Sequence, residues 1–101
     1  MKIYTEYRKG ILFLRIYGRF HDKKLKDTID YLIYQLGLNV IALNLSELEY
    51  ISLEDIKLIN NQNKIILKKK KKLLIIDKEI RHNLFKQIKV ATTEIETFSL
   101  I

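Results

Sequence analysis

The chain has 101 residues, of which 48% are hydrophobic and 31% charged, and its net charge is +7. This length leaves room for one hydrophobic core, so we expect a single domain over residues 1–101. Cysteine is absent, which excludes disulfides, thiolate metal sites and cysteine nucleophiles. No apolar run is long enough for a signal peptide or a membrane span, so we expect a cytoplasmic protein with no membrane partner.

The N-terminal third predicts a β-hairpin followed by a helix. Residues 2–8 alternate in polarity, and residues 11–17 form a second strand-like run after a Gly-containing turn. Asp22 is the predicted N-cap of the first helix. Apolar residues at spacings of three and four then describe one helical face, which ends at Gly37.

Two apolar runs in the middle of the chain predict buried strands with a helix between them. Residues 39–45 and 73–76 are almost continuously apolar, as in strands that are covered on both faces. Ser52 is the predicted N-cap of the intervening helix, and acidic residues follow it in the first turn, where the helix dipole favours negative charge. The lysines of residues 68–72 end that helix. Its predicted buried face consists of Leu53, Ile56, Leu58, Ile59, Asn63, Ile66 and Leu67.

The last quarter of the chain predicts a third helix, a short edge strand and a closing helix. The third helix is expected from Lys78 to about Gln87, and the strand over residues 89–92. Thr93 is predicted to cap the closing helix, with Glu96 completing a capping box. Together the elements predict an α/β fold: a mixed sheet of four to five strands that opens with a β-hairpin, with about four helices packed against it.

Motifs for catalysis and cofactor binding are missing from the sequence. The two histidines, His21 and His82, fall on different segments, and neither has the neighbours of a nucleophile and its base. The three glycines form no phosphate-binding loop. The pair His21–Asp22 comes nearest to a metal-ligand cluster, but metal binding needs more ligands than these. We therefore expect no enzymatic activity, no cofactor and no metal.

One segment in the middle of the chain carries a recognisable pattern. The buried strand Leu43-Asn44-Leu45-Ser46 is followed without a gap by Leu48 and by Tyr50-Ile51. In this order the segment resembles the STAS domain, the fold of bacterial anti-sigma-factor antagonists. The resemblance extends over nearly the whole chain and implies a STAS-like fold. It also implies a protein that acts in transcription regulation by binding another protein.

The resemblance implies a phosphorylation switch from which this sequence departs. In the family, a Ser or Thr at the start of the second helix is phosphorylated by a partner kinase that is itself the anti-sigma factor, and the phosphate breaks the complex. Aligning on Ile51 places Glu54 at that position, and Glu has no hydroxyl group. Glu54 either imitates the phosphorylated state or is an ordinary acidic residue of a helix N-terminus. Ser52 is the alternative phosphoacceptor, although an N-cap role suits it better.

The resemblance also implies where the partner binds. The expected partner-binding residues are Ser46, Glu49, Tyr50, Ser52, Glu54, Asp55, Lys57 and Leu58. The expected partner is an anti-sigma factor with serine kinase activity or a related regulator, bound constitutively or under some other control. The alternatives are a structural or assembly subunit of a larger signalling complex and a nucleotide- or anion-binding domain. A homodimer through the hairpin residues Tyr4, Phe13 and Tyr17, which we expect to be exposed, is a further alternative.

The lysine run from Lys68 to Lys72 has the charge of a nucleic-acid footprint. Binding of nucleic acid usually adds aromatic stacking or a recognition helix, and no aromatic residue interleaves with these lysines. We therefore expect a solvated turn here and no nucleic-acid partner.

Overall fold

Five strands form one mixed sheet at the centre of the molecule. The computed structural model describes residues 1–79 and 85–101. The strands are β1 (Lys2–Arg8), β2 (Ile11–Tyr17), β3 (Val40–Asn44), β4 (Lys72–Ile76) and β5 (Lys89–Ala91), in the sheet order β1-β2-β3-β4-β5. β1 pairs antiparallel with β2, and every following pair is parallel. The predicted mixed sheet with an opening hairpin is therefore confirmed.

Three α-helices accompany the sheet in the described part of the chain: α1 (Asp22–Asp30), α2 (Leu53–Lys68) and α3 (Glu94–Thr97). The helix predicted from Lys78 to about Gln87 falls largely on residues 80–84, which lie outside the described residues. At its described ends, Lys78 and Glu79 form a turn, and residues 85–87 are not helical. Within residues 1–79 and 85–101, no helix is long and apolar enough to cross a membrane.

The turn of the hairpin consists of two residues, and both have a left-handed backbone conformation. Lys9 has φ +49° and Gly10 has φ +85°, which matches the turn that the twist of two antiparallel strands favours. Of the three hairpin residues expected to be exposed, Phe13 is fully buried, so this part of the expectation is wrong. Tyr4 and Tyr17 are exposed, and their rings meet edge to face at 5.3 Å between centroids.

Apolar side chains alternate between the two faces of the sheet, because successive strand residues point to opposite sides. One face, with Leu14 and Leu43 at its centre, packs against α1 and α2. The other face carries Phe13 and Ala42 and packs against the C-terminal segment. There, the rings of Phe13 and Phe98 meet edge to face at 5.8 Å. Polar residues on this second face therefore lie beneath α3.

The start of α1 differs from the prediction by one residue. The N-cap is His21, not Asp22, because the helix already begins at Asp22 and His21 has the extended backbone of a cap. The Nδ1 atom of His21 accepts a hydrogen bond from the backbone N–H of Lys24 at 3.2 Å. The same helix continues beyond Asp30 as a π-helical segment, Tyr31–Gln35, before the chain turns at Gly37 with φ +65°.

The cap of α3 is confirmed, but its reciprocal half is not formed. Thr93 Oγ1 accepts a hydrogen bond from the backbone N–H of Glu96 at 3.2 Å. The Glu96 carboxylate accepts from the N–H and the hydroxyl of Thr92 instead of the N–H of Thr93, at 3.2 and 2.7 Å. These bonds hold the pKa of Glu96 below its usual value, with the Thr92 hydroxyl as the main cause. The predicted capping box at Glu96 is therefore wrong.

The lysine run forms the turn from α2 to β4. Lys70 has φ +59°, and its N–H donates to the carbonyl of Leu67 at 2.9 Å, while the N–H of Lys71 donates to Ile66 at 3.1 Å. This pair of bonds ends the helix as a Schellman motif. The Nζ atom of Lys71 also donates to Asn39 Oδ1 at 2.6 Å. At least one lysine of the run, Lys71, therefore uses its side chain in a hydrogen bond within the chain.

Candidate protein-binding site

The loop between β3 and α2 lies where the carboxyl ends of the parallel strands meet. The N–H of Leu45 donates to the carbonyl of Ile76 at 2.8 Å and extends the contact between β3 and β4. The hydroxyl of Ser46 accepts a hydrogen bond from the N–H of Lys78 at 2.9 Å. On the other side, Leu48 forms a parallel bridge with Gly18. The loop is thus held between the segments that follow β2 and β4.

The start of α2 is fixed by Ser52, the predicted N-cap, which forms a complete capping box with Asp55. Ser52 Oγ accepts from the N–H of Asp55 at 3.1 Å, and Asp55 Oδ2 accepts from the N–H of Ser52 at 3.0 Å. Both residues are half-buried. Ser52 and Asp55 therefore set the direction in which the helix leaves the loop, and their polar atoms are already engaged.

Glu54 lies in the first turn of α2 and is exposed to solvent. Its carboxylate makes no hydrogen bond or ion pair to any residue in the described ranges. The cap does not need Glu54, because Ser52 and Asp55 provide it. A carboxylate at this position gains about 0.3–1 kcal/mol from the helix dipole. The negative charge of Glu54 is thus accessible to a partner.

Two large apolar side chains are exposed next to Glu54. Tyr50 is 71% exposed and Leu53 is 60% exposed. Glu49 and Lys57 are exposed beside them. We call the five residues Glu49, Tyr50, Leu53, Glu54 and Lys57 the β3–α2 surface. Of the other predicted site residues, Ser46, Ser52, Asp55 and Leu58 are half-buried.

Leu53 was expected on the buried side of α2, and that expectation is wrong. The buried residues of the helix are Ile56, Ile59, Gln62, Asn63 and Ile66. Leu53 shares its side of the helix with Lys57 and Lys64, at the spacings of four and seven that bring residues onto one face. Leu67, also expected inside, is 44% exposed for the same reason.

A groove of about 660 Å³ runs along this side of α2. It is lined by Leu53, Ile56, Lys57, Asn60, Asn61, Lys64, Lys86 and Gln87. The N–H of Lys86 donates to Asn60 Oδ1 at 3.0 Å, which fixes residues 85–87 against the helix. The described lining includes three lysines and no carboxylate. The groove can therefore accommodate an acidic or anionic group next to the apolar side chain of Leu53.

Sequence reasoning missed a cluster of polar side chains beneath α3. The Glu94 carboxylate accepts from Arg15 Nε and Nη2 at 2.8 and 2.7 Å, from Arg8 Nη2 at 2.7 Å and from Asn44 Nδ2 at 2.8 Å. Glu6 adds a bond to Arg15 Nη2 at 2.9 Å. The hydrogen bonds from Arg15 hold the pKa of Glu94 below its usual value, although partial burial opposes them. In return, Glu94 raises the pKa of Arg15. We call these five residues the Glu94 cluster.

The Glu94 cluster is connected to the loop of the candidate site. Asn44 Oδ1 accepts from the backbone N–H of Ser46 at 3.0 Å, while Asn44 Nδ2 binds Glu94. Asn44 therefore links α3 to Ser46, the second residue of the loop. Two sequence features could have indicated this cluster: an arginine within the apolar strand β2 and an asparagine at the end of β3. Polar groups in covered strands need hydrogen-bond partners.

The sheet order, the opening hairpin followed by parallel strands and the capped helix after β3 define a STAS-like fold, as the resemblance in the sequence predicted. Among solved structures, the anti-sigma factor antagonist SpoIIAA in its unphosphorylated form is similar with a TM-score of 0.74 and 13% identity. That match covers 98% of this chain and 96% of SpoIIAA.

Two further structures share the fold. The protein TM1081 matches with a TM-score of 0.74 and 17% identity, covering 94% of this chain and 84% of TM1081. A part of Mglu, 19% of its length, matches 73% of this chain with a TM-score of 0.57 and 19% identity. The sequence matches no protein-family model and no curated protein. The structural similarities establish the fold.

Proposed function

We propose that residues 1–101 form a single, non-catalytic domain that acts in the cytoplasm by binding a regulatory protein through the β3–α2 surface. The expected partner is an anti-sigma factor with serine kinase activity or a related regulator. The observation that supports this proposal most strongly is the exposure of two large apolar side chains, Tyr50 just before the capped start of α2 and Leu53 at its first residue. Exposed aromatic and aliphatic anchors of this kind provide much of the binding energy in protein interfaces.

Charge supports the same surface. Glu49 and Glu54 place carboxylates beside the apolar pair, and Lys57 begins the basic side of the groove. A partner with complementary charges would be oriented by this arrangement before the apolar contacts form. Glu54 stands where the family has a phosphorylated hydroxyl, so this position supplies a fixed charge in place of a switchable one. We infer that binding is constitutive or controlled elsewhere.

The test is a calorimetric titration of the purified chain with each anti-sigma-factor kinase that the same genome encodes. Leu53→Asp should weaken the complex at least about tenfold, because it places a charge at the centre of the apolar contact. Leu67→Asp is the matched control, since Leu67 is also exposed on α2 and lies about 21 Å further along the helix. Equal loss in both variants, or no complex with any kinase, would reject the proposal.

A second titration tests the role of Glu54. Glu54→Ser should create a phosphoacceptor for the bound kinase in the presence of ATP, and phosphate transfer should weaken the complex formed by this variant. The controls are the wild-type chain and the double variant that combines Ser52→Ala with Glu54→Ser. Phosphate on wild type at Ser52 would show that the cap serine is the acceptor and that Glu54 does not replace it.

The anion- or nucleotide-binding alternative rests on the groove beside α2. Lys57, Lys64 and Lys86 line it, and its described lining contains no carboxylate. Binding of a nucleotide there should raise the melting temperature of the chain, and Lys64→Glu should remove that rise. A flat thermal-shift response to ATP and GTP would reject this alternative and leave the protein-binding proposal unaffected.

A further inference from the structure

The outer edge of β1 is a second surface that is suited to a protein partner. β1 is the first strand of the sheet and has seven residues, whereas β5, at the opposite edge, has only three. Within the described residues, no strand pairs with the outer side of β1. Long edge strands are templates for pairing with another chain, and natural proteins usually shorten or cover them. β1 is neither short nor covered by a described strand.

The turn of the hairpin determines which backbone groups point outward. Arg8 lies opposite Ile11 and closes a two-residue turn, so this pair exchanges backbone hydrogen bonds. Hydrogen-bonded pairs alternate with non-hydrogen-bonded pairs along an antiparallel ladder. The backbone groups of the other even-numbered residues of β1 therefore also form hydrogen bonds with β2. The N–H and C=O groups of Ile3, Thr5 and Tyr7 therefore point away from the sheet and are available to a second strand.

Charge and the length of the paired segment select one register for two β1 strands that pair antiparallel about a two-fold axis. The residues whose backbone groups point outward, all of them odd-numbered, must lie opposite each other in the two strands. The two-fold axis therefore passes through a residue and not between two residues. An axis at Thr5 places Lys2 opposite Arg8 of the second copy, and an axis at Glu6 places two glutamates opposite each other. An axis at Tyr7 places Glu6 opposite Arg8 twice, but it pairs only residues 6–8 of β1. An axis at Tyr4 places Lys2 opposite Glu6 twice and pairs residues 2–6. Opposite charges stabilise such a cross-strand pair, and like charges destabilise it.

The side chains along β1 agree with this register. Tyr4 is 55% exposed and Tyr7 is 59% exposed, so pairing would remove apolar ring surface from water. The ring of Tyr17 packs edge to face on Tyr4 and orients it. Glu6 forms ion pairs with Arg8 and Arg15, but its side chain remains 42% exposed and can accept a further hydrogen bond from a lysine of a second copy.

We propose that two copies of this chain form a symmetric dimer in which their β1 strands pair antiparallel about an axis at Tyr4. The two five-stranded sheets then join into one sheet of ten strands. This dimer does not rest on the proposed function, because it uses the strand at the edge of the sheet and not the β3–α2 surface.

Disulfide trapping tests the register, since the chain has no cysteine of its own. At the proposed axis the two Tyr4 Cα atoms lie about 4.5 Å apart, a separation that a disulfide can span. Tyr4→Cys should therefore cross-link rapidly with oxidised glutathione. The two Thr5 Cα atoms are offset by two residues and lie about 8 Å apart, so Thr5→Cys should not cross-link. Cross-linking of Thr5→Cys at an equal or higher rate would overturn the register.

Sedimentation equilibrium tests the dimer without a new thiol. The mass of the wild-type chain should rise with concentration from 12.1 kDa towards twice that value. Lys2→Glu should raise the dissociation constant at least about tenfold, because it creates two pairs of like charges. Lys23→Glu, on the exposed side of α1, makes the same change in net charge and should have no effect. A chain that stays at 12.1 kDa at millimolar concentration, or equal effects of the two variants, would overturn the proposal.

Discussion

The Glu94 cluster predicts that one carboxylate on a four-residue helix contributes strongly to the stability of the whole fold. Glu94 accepts four hydrogen bonds from charged or amide donors, and its side chain is only 14% exposed. The two arginines are about one-third exposed, so solvent screens their attraction and each contact is worth less than in a dry core. We therefore expect Glu94→Ala to cost about 2–3 kcal/mol in the free energy of unfolding, and Glu94→Gln about half of that.

Thermal and urea denaturation measure this cost. For a chain of this length, 1 kcal/mol corresponds to about 4 °C or more in the melting temperature, so Glu94→Ala should melt about 8–12 °C lower. Glu49→Gln removes one exposed carboxylate that makes no described contact and is the control for net charge. The slope of the urea transition should stay the same in each variant, because none of them changes the surface exposed on unfolding.

The pH dependence gives the same prediction an independent check. The pKa of Glu94 is lowered in the folded chain, chiefly by its hydrogen bonds to Arg15. Its contribution is therefore complete above the pKa of an unfolded glutamate, about 4.3, and is lost as the pH falls through the lower folded value. The stability difference between wild type and Glu94→Gln should be constant between about pH 5.5 and 8 and should shrink below that range. A difference that is absent at pH 7, or that persists unchanged into strong acid, would refute this account of the cluster.

Substitutions at three further positions have consequences that denaturation can measure. Ser52→Ala removes the N-cap of α2 and should cost about 1 kcal/mol, while Ser52→Asp should retain most of the stability, since Asp caps as well as Ser does; equal losses would contradict the cap. Phe13→Ala empties a fully buried site against Phe98 and should cost about 3–5 kcal/mol, and a loss below about 1 kcal/mol would mean that this face is not packed. Lys70→Gly should raise stability by up to about 1 kcal/mol, because Lys70 has φ +59° at the end of α2, where glycine is favoured; a destabilised variant would contradict the Schellman geometry.

The elements that the sequence predicted well depend on signals between neighbouring residues. The predicted N-cap Ser52 lies only three positions before the N–H that it binds, and the apolar runs that became β3 and β4 are almost continuous. Such patterns can be recognised from the sequence alone, because each lies within a window of a few residues. The resemblance to the STAS domain rested on the same segment, and the shared fold confirms it.

The features that the sequence did not predict depend on distant residues or on small differences between neighbours. Glu94 lies 79 positions after Arg15 in the chain, and only the folded sheet brings them together. His21 and Asp22 are both able to cap a helix, and their order alone does not show which residue has the extended backbone. The exposure of Leu53 follows from its being the first residue of α2, on the side of the helix that faces the groove.

Mapping the residues that contact the partner on the folded chain tests most directly whether a protein partner binds at the β3–α2 surface. The ¹⁵N-labelled chain would be titrated with the anti-sigma-factor kinase that binds it in calorimetry, and the amide shifts followed residue by residue. We expect the largest changes between residues 46 and 58, with Tyr50 and Leu53 among them. Changes confined to the β1 edge or to the turn at residues 68–72 would contradict the claim.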